Sequence, residues 1–183
     1  MNIQTPITRN GFLVSFTTRL MLLSAVFGLG ICGTELRAET GVTEYDLKAA
    51  FLCNFLEFVK WPGGGSGTIG ILGDDPFGGK LEKALQGRLR VIRSNQPESL
   101  KKCQIVFVSK SERGSTGAII ATLGDANVLT VGDSDGFAKQ GGVIGFTMSG
   151  DSVRFEINTA AARRAGLVIK AKLLQLASRI YNS

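Results

Sequence analysis

Residues Glu44–Pro62 read EYDLKAAFLCNFLEFVKWP. Tyr45, Ala49, Leu52, Leu56 and Val59 recur at three- and four-residue steps, the period of one helix face. Phe51, Phe55 and Phe58 form a second apolar row beside the first. Two adjoining rows make a stripe too wide for a helix that only rests on a surface, so the helix is predicted to be largely buried or covered by a partner. Asp46, Lys48, Asn54, Glu57 and Lys60 fill the narrow polar face. Thr43 with Asp46 three residues on makes a weaker form of the capping box. Trp61-Pro62 ends the helix, because the residue before proline is pushed out of helical geometry. Trp61 is expected to close that end against a sheet, and any aromatic surplus, above all Phe51 and Phe58, is a candidate for contact with another protein.

Upstream, residues 1–19 carry Arg9 and Arg19 and no acid, and Leu20–Cys32 is an unbroken apolar-and-small run. It is shorter than the roughly 20 residues of a membrane span and fits the core of a secretory leader. Cleavage after Ala38 is the expected outcome, giving a leader of 1–38 and one domain of 39–183. Lipidation at Cys32 is disfavoured by the bulk of Ile31 before it. Removing three basic residues and one acid lowers the formal charge from +6 to +4. That excess reads as spread along the chain, with no basic stripe of the kind a nucleic-acid binder shows.

Downstream, strand and helix alternate. Thr68–Leu72 reads as a strand, and Pro76 opens a helix to about Leu85 after the Gly73-Asp74-Asp75 turn. Leu89–Ile92, Cys103–Val108 and Val128–Val131 read as further strands, with helices at Pro97–Lys101 and Gly117–Leu123. Val143–Met148 and Ser152–Ile157, joined by Ser149-Gly150-Asp151, form a hairpin. Asn158 or Thr159 caps a helix over Ala160–Ala165, and Ile169–Ile180 is a closing helix. The predicted architecture is α/β: a mainly parallel sheet flanked by helices on both faces, with an antiparallel C-terminal hairpin and a closing helix pair.

The chain has no histidine, which removes Ser-His-Asp and Cys-His catalysis. Gly73–Lys80, GDDPFGGK, misses the phosphate loop by one residue of spacing and by the Ser or Thr that should follow its lysine. Asp74 and Asp75 with Asp133 and Asp135 follow strands of parallel type, at the sheet edge where open α/β folds bind ligands. A small-molecule or cation site built on these carboxylates is the alternative reading, against simple helix capping. Cys53 and Cys103 remain after the leader, either as a disulfide or with Cys53 packed as a small hydrophobe.

Several stretches in fixed order resemble the YfiR family of periplasmic repressors. They are Tyr45–Pro62, Ile71–Phe77 (ILGDDPF), Cys103–Val108 (CQIVFV), Val128–Val131 (VLTV), Gly141-Gly142, Val153–Asn158 (VRFEIN) and Lys172–Ala177 (KLLQLA). Trp61, Pro62, Gly73, Cys103, Phe155, Asn158 and Leu173 are the motif positions, expected to be structural. The resemblance implies an exported domain without catalytic activity, cofactor or metal. It would bind the periplasmic domain of a membrane diguanylate cyclase and hold it inactive, lowering cyclic di-GMP output. It also implies an outer-membrane OmpA-like lipoprotein that draws the repressor away, and a homodimer is left open. Family members often carry a cysteine in the strand before the Gly-Asp turn, paired with the one matching Cys103. Thr68–Leu72 has none, so that disulfide is not carried over, and Cys53 stands where an aromatic residue is usual.

Overall fold

The computed structural model describes residues 41–183, so the expected leader, Cys32 and the cleavage point lie outside the described residues. Helix α1 (Glu44–Phe58) starts on a complete capping box: the Thr43 hydroxyl accepts from the Asp46 N–H, and Asp46 accepts from the Thr43 N–H. It stops before Trp61. Val59 is already extended, and Val59–Lys60 (β1) pairs antiparallel with Val168–Ile169 (β8). The helix therefore ends earlier than Pro62 requires, because the backbone after Phe58 finds strand partners.

The main sheet has seven strands: β2 (Thr68–Leu72), β3 (Arg90–Ser94), β4 (Ile105–Val108), β5 (Leu129–Gly132), β6 (Ile144–Ser149), β7 (Ser152–Asn158) and β9 (Arg179–Tyr181). Their order is β3-β2-β4-β5-β6-β7-β9. Pairing is parallel from β3 to β6, antiparallel in the β6–β7 hairpin, and parallel again between β7 and β9. The period of two along each strand feeds two apolar layers. Ile105 and Phe107 of β4 face a cluster with Leu52 and Phe55 of α1 and Leu81 of α2 (Lys80–Leu85). Val106 and Val108 face a second cluster with Leu100, Ile119 and Leu123. The latter come from the 3-10 turn at Pro97–Leu100 and α3 (Thr116–Leu123). Helices thus cover both faces, as the sequence pattern predicts.

Two helices are shorter than the periodicity predicts. Gly78 and Gly79, both with positive φ, hold the chain in a turn after Pro76, so α2 begins only at Lys80. The closing segment does not run as one helix. α5 covers Ala171–Leu176, Ala177 turns extended, and Arg179–Tyr181 adds to the sheet as β9. Between hairpin and α5, α4 (Thr159–Arg164) begins at Asn158. That side chain is wholly buried: Oδ1 accepts from the Ala161 N–H at 2.8 Å, and Nδ2 donates to the carbonyls of Ala138 and Ser183, each at 2.9 Å.

Two glycines have a packing reason. A Cβ on Gly132 or Gly142 would lie 2.0 Å from a ring carbon of buried Phe137. Gly132 and Gly142 thus let the loop after β5 close on an aromatic plug.

Candidate functional site

At the carboxyl end of β5 the sequence reading needs correction. Lys48 does not lie on a solvated helix face: it is 1% exposed. Its ammonium pairs with Asp133, whose side chain is also buried, and with Glu44 one helical turn earlier. The Tyr45 hydroxyl donates to the second Asp133 oxygen at 2.9 Å. Burial and the neighbouring Asp133 carboxylate push the Tyr45 phenol far above its usual range. The hydrogen bond from Lys48 holds Glu44 below the ordinary carboxylate range. The arrangement clamps α1 to the sheet through one ammonium shared by two carboxylates. A buried pair of this kind offsets a large desolvation cost only when its remaining polar atoms are hydrogen-bonded; here both Asp133 oxygens and two of the three ammonium donors are engaged.

The other strand-end acids are engaged separately. Asp75 accepts from the Phe77 N–H at 2.8 Å and from Arg93 Nε at 2.7 Å, and Arg93 also meets Glu82 at 2.6 Å. Those two carboxylates raise the Arg93 pKa. Asp74 is exposed, and its N–H donates to Ser111 Oγ at 3.0 Å. The Gly73 turn fits tightly against Ser111 and Glu112, where a side chain would collide. Among the described residues no three His, Cys, Asp or Glu side chains gather in a group able to hold a metal ion.

The two cysteines are both free and buried. Cys53 belongs to the cluster under α1, and Cys103 to the cluster on the opposite face of the sheet. A Cys53–Cys103 disulfide would have to cross the sheet, so the thiols pack as hydrophobes. Burial raises the pKa of each, which leaves them poor nucleophiles.

Phe155 and Leu173 are buried. Trp61 is half-buried, its Nε1 donating to the Gln104 carbonyl at 3.1 Å. Pro62 lies exposed beside it. Phe51 is half-buried and stacks among Phe55, Phe146 and Phe155 at centroid distances of 5.5–6.2 Å. Phe58 is half-buried, with Lys172 Nζ 5.7 Å above its ring. Both rings are thus engaged within the chain.

Val42, Leu47, Ile92 and Met148 are exposed apolar side chains in the first part of the chain, and three more lie in the C-terminal segment. Val168 is 59%, Leu176 58% and Ile180 42% exposed. Residues Ala162, Leu167, Val168, Ile169 and Leu174, with Arg163 at the rim, line a cavity of about 390 Å³ between α4, β8 and α5. The charge there is not spread evenly. Residues 152–183 hold six basic residues against one acid, Glu156, whereas residues 41–151 hold twelve of each. Among the described residues only Arg179 of the six has a carboxylate partner, Glu156 at 3.6 Å. An open apolar cavity within an unbalanced cationic segment fits a binding role.

Comparison with known proteins agrees with this architecture. The sequence model of a family described as YfiR/HmsC-like matches residues 45–178. No curated protein matches the chain. A conserved domain protein from Vibrio cholerae O1 biovar El Tor shares the fold with a TM-score of 0.59 at 11% identity, over 75% of this chain and 60% of that one. An ABC domain from Streptococcus pneumonia, solved in complex with L-Trp, gives a TM-score of 0.51 at 12% identity, over 72% of this chain and 60% of that one. The chain thus spans 60% of the length of each of these structures.

Proposed function

The chain belongs to the YfiR/HmsC-like family, and from that premise we propose that it is a non-catalytic periplasmic regulator. It binds the periplasmic domain of a membrane diguanylate cyclase, holds the enzyme inactive and so lowers cyclic di-GMP output. The face around α4, β8, α5 and β9 is the contact surface. The observation that carries this reading is the six-to-one excess of basic over acidic residues in 152–183, with Val168, Leu176 and Ile180 exposed among them, next to a cavity wide enough to take an apolar anchor. Buried anchors ringed by polar groups supply most of the energy of protein contacts. Clustered charge raises the rate of encounter with an oppositely charged partner. The chain has no histidine, and Asp75 and Asp133 are engaged with neighbouring cations, which fits a regulatory more than a catalytic role.

The test is genetic and biochemical. Deleting the gene in a strain that expresses the cyclase should raise cyclic di-GMP, and the tagged protein should co-purify from membranes with that cyclase. An unchanged nucleotide level together with no cyclase in the eluate would remove the proposal.

A further inference from the structure

We propose that the cavity between the loops following β4 and β5 binds a small oxyanion, a phosphate or carboxylate group. Its volume is about 280 Å³, and it is lined by Lys110, Arg113, Ser134, Asp135 and Gln140. The decisive group is Ser134. It is 8% exposed, and its Oγ has no hydrogen-bond partner. An orphaned buried hydroxyl costs about 1–3 kcal/mol, and its residue lines the cavity.

The surrounding charges leave donors available. Lys110 Nζ stands 3.9 Å from Glu44, too far for a hydrogen bond. Glu44 is already taken by Lys48. Asp133, one residue from Ser134, spends its two carboxylate oxygens on Lys48 and the Tyr45 hydroxyl, while Lys48 is shared with Glu44, so the cluster keeps one net negative charge. Asp135 is exposed and opposes only one of the two lining cations. Arg113 and Lys110 supply charge-assisted donors, and Ser134 and Gln140 supply neutral ones.

Position and size agree. Ligands of open α/β sheets bind beyond the carboxyl ends of the strands, at the crevice where strand order reverses. In this sheet the reversal lies between β2 and β4, and Ser111 and Glu112 pack into that crevice against Gly73. The next gap, between β4 and β5, is the open one. Its volume falls just below the ~300–1,000 Å³ of drug-sized pockets, so the ligand is small. This inference does not depend on the identity of the protein partner.

The experiment is an NMR titration of the ¹⁵N-labelled protein at constant ionic strength, with sodium phosphate in one arm and sodium citrate in the other. Saturable shifts are expected in the amides of residues 110–116 and 133–141, and the tighter probe identifies the phosphate or carboxylate class. Arg113→Ala should weaken binding about tenfold, the effect of losing one charge-assisted contact. Ser134→Ala should weaken it too while leaving the melting temperature unchanged or raised, because it removes an orphaned hydroxyl. Lys102→Ala, on another loop, should bind as wild type. Non-saturating shifts with both probes, or wild-type affinity in Arg113→Ala and Ser134→Ala, would overturn the proposal. So would a lowered melting temperature in Ser134→Ala with affinity unchanged.

Discussion

The end of β5 and the C-terminal segment use charge in opposite ways. Around Asp133, one lysine, two carboxylates and a phenol are drawn together and largely removed from water. In residues 152–183, five of six cations have no carboxylate partner among the described residues, and they stay in solvent. The first arrangement is costly to desolvate and intolerant of loss, and it fixes where α1 sits. The second costs little in the free protein and leaves its charge for another molecule. Architecture and recognition are therefore expected to separate under mutation.

The largest effect should come from breaking the buried cluster. Asp133→Ala leaves Lys48 without its buried partner and should cost about 3–5 kcal/mol, read by urea unfolding. Replacing Lys48 and Asp133 together with Met and Leu should recover most of that loss. If Asp133→Ala unfolds at the wild-type urea concentration, the clamp is not holding α1.

Stiffening the interior should move stability upward without touching recognition. A Cβ on Gly70 would lie 3.2 Å from Cys103 Sγ, close to the spacing across a disulfide. Gly70→Cys should therefore bond to Cys103 once Leu100, 2.9 Å from that Cβ, shifts aside. The gain should be roughly 2–4 kcal/mol, seen as a melting temperature that falls on adding a reductant. Membrane partner capture should be unchanged.

The pH response of the α1 cap is smaller. The Thr43 hydroxyl and N–H, with Lys80, hold Asp46 at about 2, below its unfolded value of 3.8. The unfolded chain therefore takes up the proton first. The contribution of Asp46 is present above pH 3.8 and is lost as pH falls toward 2. Asp46→Asn should flatten the stability profile within that window and leave its shape above it unchanged.

The smallest stability effect belongs to the C-terminal face. Val168→Asp and Leu176→Asp alter side chains that are more than half exposed, and each should shift stability by less than about 0.5 kcal/mol. A large loss from either would mean that the face is part of the core.

Much of this was legible in the residues. Apolar runs such as Ile105–Val108 announce strands covered on both faces, and Thr43 with Asp46 announces the start of α1. Lys48 reads as solvated from sequence because lysine normally is. Its spacing held the signal: Tyr45, Lys48, Leu52 and Phe55 step along one face by three, four and three residues. Asp133 could not be paired with it from sequence, since 85 residues separate them. Ile169–Ile180 keeps a helical period throughout, yet its two ends are claimed by β1 and β7. The charge excess looked diffuse when counted over the whole chain. It is visible as a block once the boundary is drawn at the hairpin's second strand.

The most direct measurement pairs Val168→Asp with Leu176→Asp in one chain, tagged and expressed beside the cyclase. Membrane co-purification, intracellular cyclic di-GMP and the melting temperature would be read on the same strain. A wild-type melting temperature with the cyclase absent from the eluate and cyclic di-GMP raised to the deletion level is the predicted result. Full capture of the cyclase and a repressed nucleotide level by this folded variant would place the contact elsewhere and contradict the account.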